Sequence, residues 1–136
     1  MLRTRLPVKR ARISHMSLRE FKLVLDDLEK CESLTDLCLG VVCEGEGLGK
    51  DLWRVFRNLH SLELECDNTG SDLAQDVGSY IRQSKSLREV ALQGSCGGDE
   101  GAAHLIEPLE RNDTLRKLTL CEMTLSCETL ISFAKI

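Results

Sequence analysis

Apolar residues recur along this chain in two alternating rhythms. The first is a short spacing, Leu-x-x-Leu-x-Leu, carried in "LERNDTLRKLTL" by Leu115, Leu118 and Leu120. The same spacing occurs at Leu34, Leu37, Leu39; at Leu59, Leu62, Leu64; and at Leu87, Val90, Leu92, with starts 25, 28 and 28 residues apart. A weaker copy, Val8, Ala11, Ile13, lies 26 residues before Leu34. Within each copy the last apolar positions alternate with polar ones, the two-residue period of a half-buried strand.

The second rhythm fills the intervals with helical spacing. A helix is expected over about 17–30, opened by a capping box of Ser17 and Glu20, with Phe21, Val24, Leu25 and Leu28 on one face. A short one is expected over about 50–57 with Leu52, Val55 and Phe56. The next run over about 71–83 with Leu73, Val77 and Ile81, and over about 101–111 with Ala102, Leu105, Ile106 and Leu109. A last one covers about 126–134. Pro108 falls inside the fourth, where a proline removes a backbone donor at a cost of about 3 kcal/mol, so a kink or a helix in two pieces is expected there.

Strand, loop, helix and return loop, repeated, build a parallel sheet by crossover connections. The expected fold is therefore α/β, a single domain over 1–136 of about five repeats starting near 8, 34, 59, 87 and 115, the last incomplete. One such unit cannot bury its own leucines, so a continuous core requires stacking against neighbours.

In "LERNDTLRKLTL" and "IRQSKSLREVAL" the chain resembles the leucine-rich repeat superfamily, specifically its ribonuclease-inhibitor-like class, over 8–136. That resemblance implies a solenoid with a curved parallel sheet on the concave side and α-helices on the convex side. It also implies work as an inhibitor, an innate sensor or a substrate-recognition part of a ubiquitin ligase. The family pattern places Asn or Cys eight residues after the first leucine; this chain has Met16, Val42, Asp67, Ser95 and Met123 there. Cys43, Cys66 and Cys96 stand one residue away, which predicts local register shifts. The segment "LSCETLISFAKI" is as apolar as an internal helix, so a fragment of a longer array, or an open end covered by something else, is expected.

Charge refines this picture. Net charge is -4, yet residues 1–19 carry six basic groups and no acid, leaving 12 basic against 22 acidic groups, net -10, in the rest. An acidic body disfavours nucleic-acid binding, which needs clustered Lys and Arg. Seven cysteines at 31, 38, 43, 66, 96, 121 and 127, an odd number, fit reduced thiols better than a disulfide framework. The run "LCLGVVC" falls far short of the roughly 18 residues of a membrane span, and the basic N-terminus lacks the apolar stretch of a secretory signal. A cytoplasmic location is expected. "VKRAR" at 8–12 also matches a nuclear-localisation pattern, and the acid-free leader a mitochondrial presequence.

Motifs that carry chemistry are weak. "GEGLGKD" at 45–51 has Glu44 where a phosphate loop needs glycine and Asp51 where it needs Ser or Thr, so a plain connection is expected. "GSCGGDEG" at 94–101 reads the same way, its acids suiting a helix start. Cys38 with Cys43, and Cys121 with Cys127, lack the spacing of zinc pairs. His15, His60 and His104 fall at three different phases of the repeat and converge on no cysteine. No catalytic residue, metal or cofactor is expected.

If the motif leucines point inward, the residues between them form columns on the opposite face of the sheet. One column is Arg10, Asp36, Ser61, Glu89, Lys117; the next Arg12, Cys38, Glu63, Ala91, Thr119; a third Ser14, Gly40, Glu65, Gln93, Cys121. Glu89 and Lys117 are placed to pair across adjacent strands. The expected partner-binding residues are Arg10, Arg12, Asp36, Cys38, Ser61, Glu63, Glu65, Glu89, Gln93, Lys117 and Thr119, with an acidic centre suited to a basic patch on a protein partner. The expected role is a protein-interaction module; the alternative is an enzyme regulator, GTPase-activating or enzyme-inhibiting.

Overall fold

A computed structural model of the 136-residue chain describes residues 8–42, 58–65, 72–94 and 97–136. In chain order the elements are β1 (Arg10–Ser17), α1 (Leu18–Glu29), β2 (Asp36–Val42), β3 (Ser61–Glu65), α2 (Asp72–Gln83), β4 (Glu89–Gln93), α3 (Gly98–Arg111), β5 (Lys117–Cys121) and α4 (Cys127–Ala134). The five strands form one sheet in the order β1-β2-β3-β4-β5, every neighbouring pair parallel. The α/β class and the parallel sheet are as the spacing predicts. The helix expected over 50–57 and the "GEGLGKD" loop lie outside the described residues.

Register follows the motif. Leu37, Leu62, Val90 and Leu118 are lateral partners across β2 to β5, as are Leu39, Leu64, Leu92 and Leu120. Alternation sends these side chains to one face, where they meet Leu28 of α1, Val77, Tyr80 and Ile81 of α2, and Leu105 of α3 in one core. In the middle of the sheet Leu39, Leu62, Leu64, Val90 and Leu92 are 0–1% exposed. Burial of each such side chain stabilises the fold by about 1.5–3 kcal/mol, because apolar area leaves water. Val8 departs from expectation: it is 47% exposed, since no strand lies beyond β1 among the described residues, and the inward positions of that first copy are Ala11 and Ile13.

A row of hydroxyls just ahead of the motif leucines ties successive units together. Ser33 donates to the Val8 carbonyl (2.9 Å), Ser86 to that of Leu59 (2.9 Å) and Thr114 to that of Leu87 (2.8 Å). Backbone N–H groups continue the pattern: Thr35 donates to Lys9, His60 to Thr35, Arg88 to His60 and Arg116 to Arg88. Asn112, where the chain leaves α3, donates to the carbonyls of Ile81 (2.6 Å) and Ser84 (3.2 Å) and accepts from the N–H groups of Thr114 and Leu115.

Pro108 does not divide α3, which runs unbroken from Gly98 to Arg111. It stands in the last turn, so it removes only the bond that the His104 carbonyl would have accepted. The "GSCGGDEG" segment supplies left-handed backbone at Gly94 (φ 115°) and Gly97 (φ 80°), and its acids Asp99 and Glu100 occupy the first turn of α3. Asp99 also accepts from the Ser126 N–H (2.8 Å), joining the start of α3 to the cap of α4. That bond, with one from Thr129, holds the exposed Asp99 carboxyl below its ordinary pKa. Among the described residues no helix is long and apolar enough to cross a membrane.

Candidate functional site

The sheet face turned away from the helices carries the polar positions of every strand. Its first column is in register as expected: Arg10 opposite Asp36, Asp36 opposite Ser61, Ser61 opposite Glu89, Glu89 opposite Lys117. So is the second, from Arg12 through Cys38, Glu63 and Ala91 to Thr119. The third is shorter than expected. A register shift between Ile13 and Met16 places an extra residue in β1, so Ser14 does not meet Gly40, and the column runs Gly40, Glu65, Gln93, Cys121. A shift thus falls in β1, while Cys43, Cys66 and Cys96 lie outside the described residues.

Seven of the eleven expected residues surround one shallow hollow of about 560 Å³: Arg10, Arg12, Asp36, Cys38, Ser61, Glu63 and Glu89. Glu65, Gln93, Lys117 and Thr119 extend the same face beyond it. His60 and Arg88 also line the hollow. Neither is among the expected partner-binding residues, His60 being weighed only as a catalytic base, although a signal is present: each directly follows the first leucine of its motif, the phase shared by Lys9, Thr35 and Arg116. Those residues form a further column, basic at four of its five positions counting the imidazole, along the edge where the strands begin.

The electrostatics are local. Arg10 Nε donates to Asp36 Oδ2 at 2.7 Å, but Arg10 is 86% exposed, so the pair contributes at most about 1 kcal/mol. Glu89 and Lys117 are register neighbours and form no ion pair; both are exposed, and hydration outweighs so weak an attraction. Partial burial, then the nearby negative charge of Glu63 and a hydrogen bond to it, push the Cys38 thiol above its ordinary pKa, with Arg12 opposing. That favours the neutral thiol, the reverse of what activates a cysteine nucleophile. Among the described residues Cys31, Cys38, Cys121 and Cys127 are free thiols, and no group of three or more His, Cys, Asp or Glu is placed to hold a metal ion. His60 is exposed at the strand edge and His104 lies on α3, on the other side of the sheet.

No known protein-family model matches the chain, and no curated protein is similar to it at a significant level.

Proposed function

We propose that this chain is a leucine-rich repeat protein of the ribonuclease-inhibitor-like class and that its exposed sheet face binds a protein partner, without catalysis, as an adaptor, sensor or substrate-recognition element. One observation carries the reading: same-phase polar residues stand side by side across five strands, on a face that no helix covers among the described residues. Strands spaced about 4.8 Å apart offer a wide surface with little conformational entropy to lose on binding. Glu63 and Glu65 at its centre are exposed and without an ion pair among the described residues, which suits a basic patch on the partner.

The test is charge reversal on that face. E63K/E65K should abolish capture of proteins from a lysate that the wild-type chain retains, whereas E110K, on the exposed side of α3, should leave capture intact. Identical capture by all three proteins would sink the reading.

A further inference from the structure

Among the described residues the strand β5 at the edge of the sheet leaves apolar surface uncovered. Leu62, Leu64, Val90 and Leu92 are 0–1% exposed. Leu118 and Leu120, at the same phases, are only half-buried, because among the described residues β5 has a strand on one side alone. Beside them Leu109, Leu115, Leu130, Phe133 and Ile136 line one side of a groove of about 540 Å³ whose rim is polar, formed by Asn112, Arg116 and Lys117. Leu130 is 53%, Ile131 55% and Ile136 48% exposed. Contiguous apolar surface of this kind marks a contact, and a free strand edge is a template for another strand.

We propose that this edge binds a second copy of the chain, β5 joining β5 antiparallel about a twofold axis.

Backbone direction sets the register. The Lys117 N–H donates to the Arg88 carbonyl and the Cys121 carbonyl accepts from the Gly94 N–H, so both residues turn their polar groups to β4. Alternation then turns those of Leu118 and Leu120 to the free edge. In an antiparallel ladder such outward residues pair directly opposite one another. Leu118 against Leu120 of the second copy, and Leu120 against its Leu118, satisfies all of them and joins the two leucine rows on one face. The α4 helices, with Leu130 and Ile131, then lie on the same side of the joined sheet.

Charge selects this arrangement over the alternative. The same register sets Thr119 opposite Thr119 and, just outside the ladder, brings Arg116, which precedes β5, near Glu122, which follows it where the backbone turns left-handed (φ 62°), once on each side of the axis; both charged residues are exposed and without an ion pair among the described residues. Head-to-tail stacking of β5 on β1 in the register of the existing strands would instead set Lys117 beside Arg10 and Arg116 beside Lys9. Like charges so placed repel, and a head-to-tail contact continues into an open filament rather than closing.

Sedimentation equilibrium of the whole 136-residue chain tests the proposal. At about 100 μM the wild-type chain should be a dimer. R116E and E122R should each weaken it by about tenfold or more, with unchanged circular dichroism and melting, because each sets like charges against each other. Mixed in equal amounts, the two variants should recover a dimer, since every junction again holds one acid and one base. T119C should form a disulfide-linked dimer that the wild type does not, the opposed α-carbons lying about 4.5 Å apart. A wild-type monomer at that concentration, a dimer indifferent to both reversals, or growth past the dimer would overturn it. E63K/E65K, on the open face, should leave the dimer intact, so loss of partner capture and loss of dimerisation are separately observable.

Discussion

The carbonyl of His104 in α3 faces the backbone of Gly78 in α2 so closely that a β-carbon built on Gly78 would stand 2.5 Å from the oxygen. Pro108 explains why that carbonyl is free to do so: proline has no N–H to occupy it, and the ring itself lies 3.2 Å from the same β-carbon position. The two helices meet through a residue with no side chain and a turn with no donor. Replacing Gly78 by Ala should therefore lower stability. Helix propensity returns about 1 kcal/mol at most, a contact of 2.5 Å with a backbone oxygen puts overpacking at the upper end of its usual range, about 3, and a net loss of about 2 kcal/mol is expected in urea denaturation. Wild-type stability or better would show that α2 and α3 separate without cost.

Asn112 closes a second junction. Its side chain satisfies two carbonyls at the end of α2 and two N–H groups that lead into β5. Asn112→Ala leaves those partly buried groups short of partners and should cost about 2–3 kcal/mol. Ser84 performs the shorter version of the same turn, accepting from Ser86 and Leu87. Ser84→Ala should cost about 1 kcal/mol. Equal costs for the two substitutions would refute the assignment.

Tyr80 is the chain's one tyrosine, so tyrosinate absorbance reports on it alone. Burial pushes its phenol above the ordinary value of 10.0, a hydrogen bond with Ser84 opposing weakly. A folded-state pKa that is raised gives stability that is complete below about pH 10 and lost as pH rises further, because only the unfolded chain ionises. Stability should fall above pH 10 with a contribution of up to about 1.4 kcal/mol per pH unit from this group. Tyr80→Phe should flatten that slope. In the native protein tyrosinate should appear only as the chain unfolds; a normal phenol titration before unfolding would contradict the burial.

Cys38 should be the slow thiol. Its raised pKa leaves less thiolate at neutral pH, so alkylation mapped by mass spectrometry should lag behind that of the exposed Cys121 and Cys127. Glu63→Gln removes the charge beside it and should speed Cys38 by about two- to fivefold while leaving Cys127 unchanged. No change at Cys38 would mean that burial alone sets its reactivity.

Much of this molecule is legible in its sequence for one physical reason: a leucine excluded from water must find another leucine, and a regular spacing tells each which neighbour to find. The period of the motif placed four strands and their lateral partners, and two-residue alternation named the outward columns, Arg10 to Lys117 and Arg12 to Thr119. What alternation does not encode is any contact decided by the direction of a backbone group. That Pro108 leaves its helix whole while the His104 carbonyl it leaves unfilled meets Gly78 depends on how α2 and α3 lie together. That Ser14 falls out of register depends on one extra residue in β1, and that Glu89 and Lys117 stay apart depends on competition with water. Only the tertiary structure gathers His60 and Arg88 to the rim of the hollow and leaves Leu118 and Leu120 half in water, because both depend on which strands stand on either side.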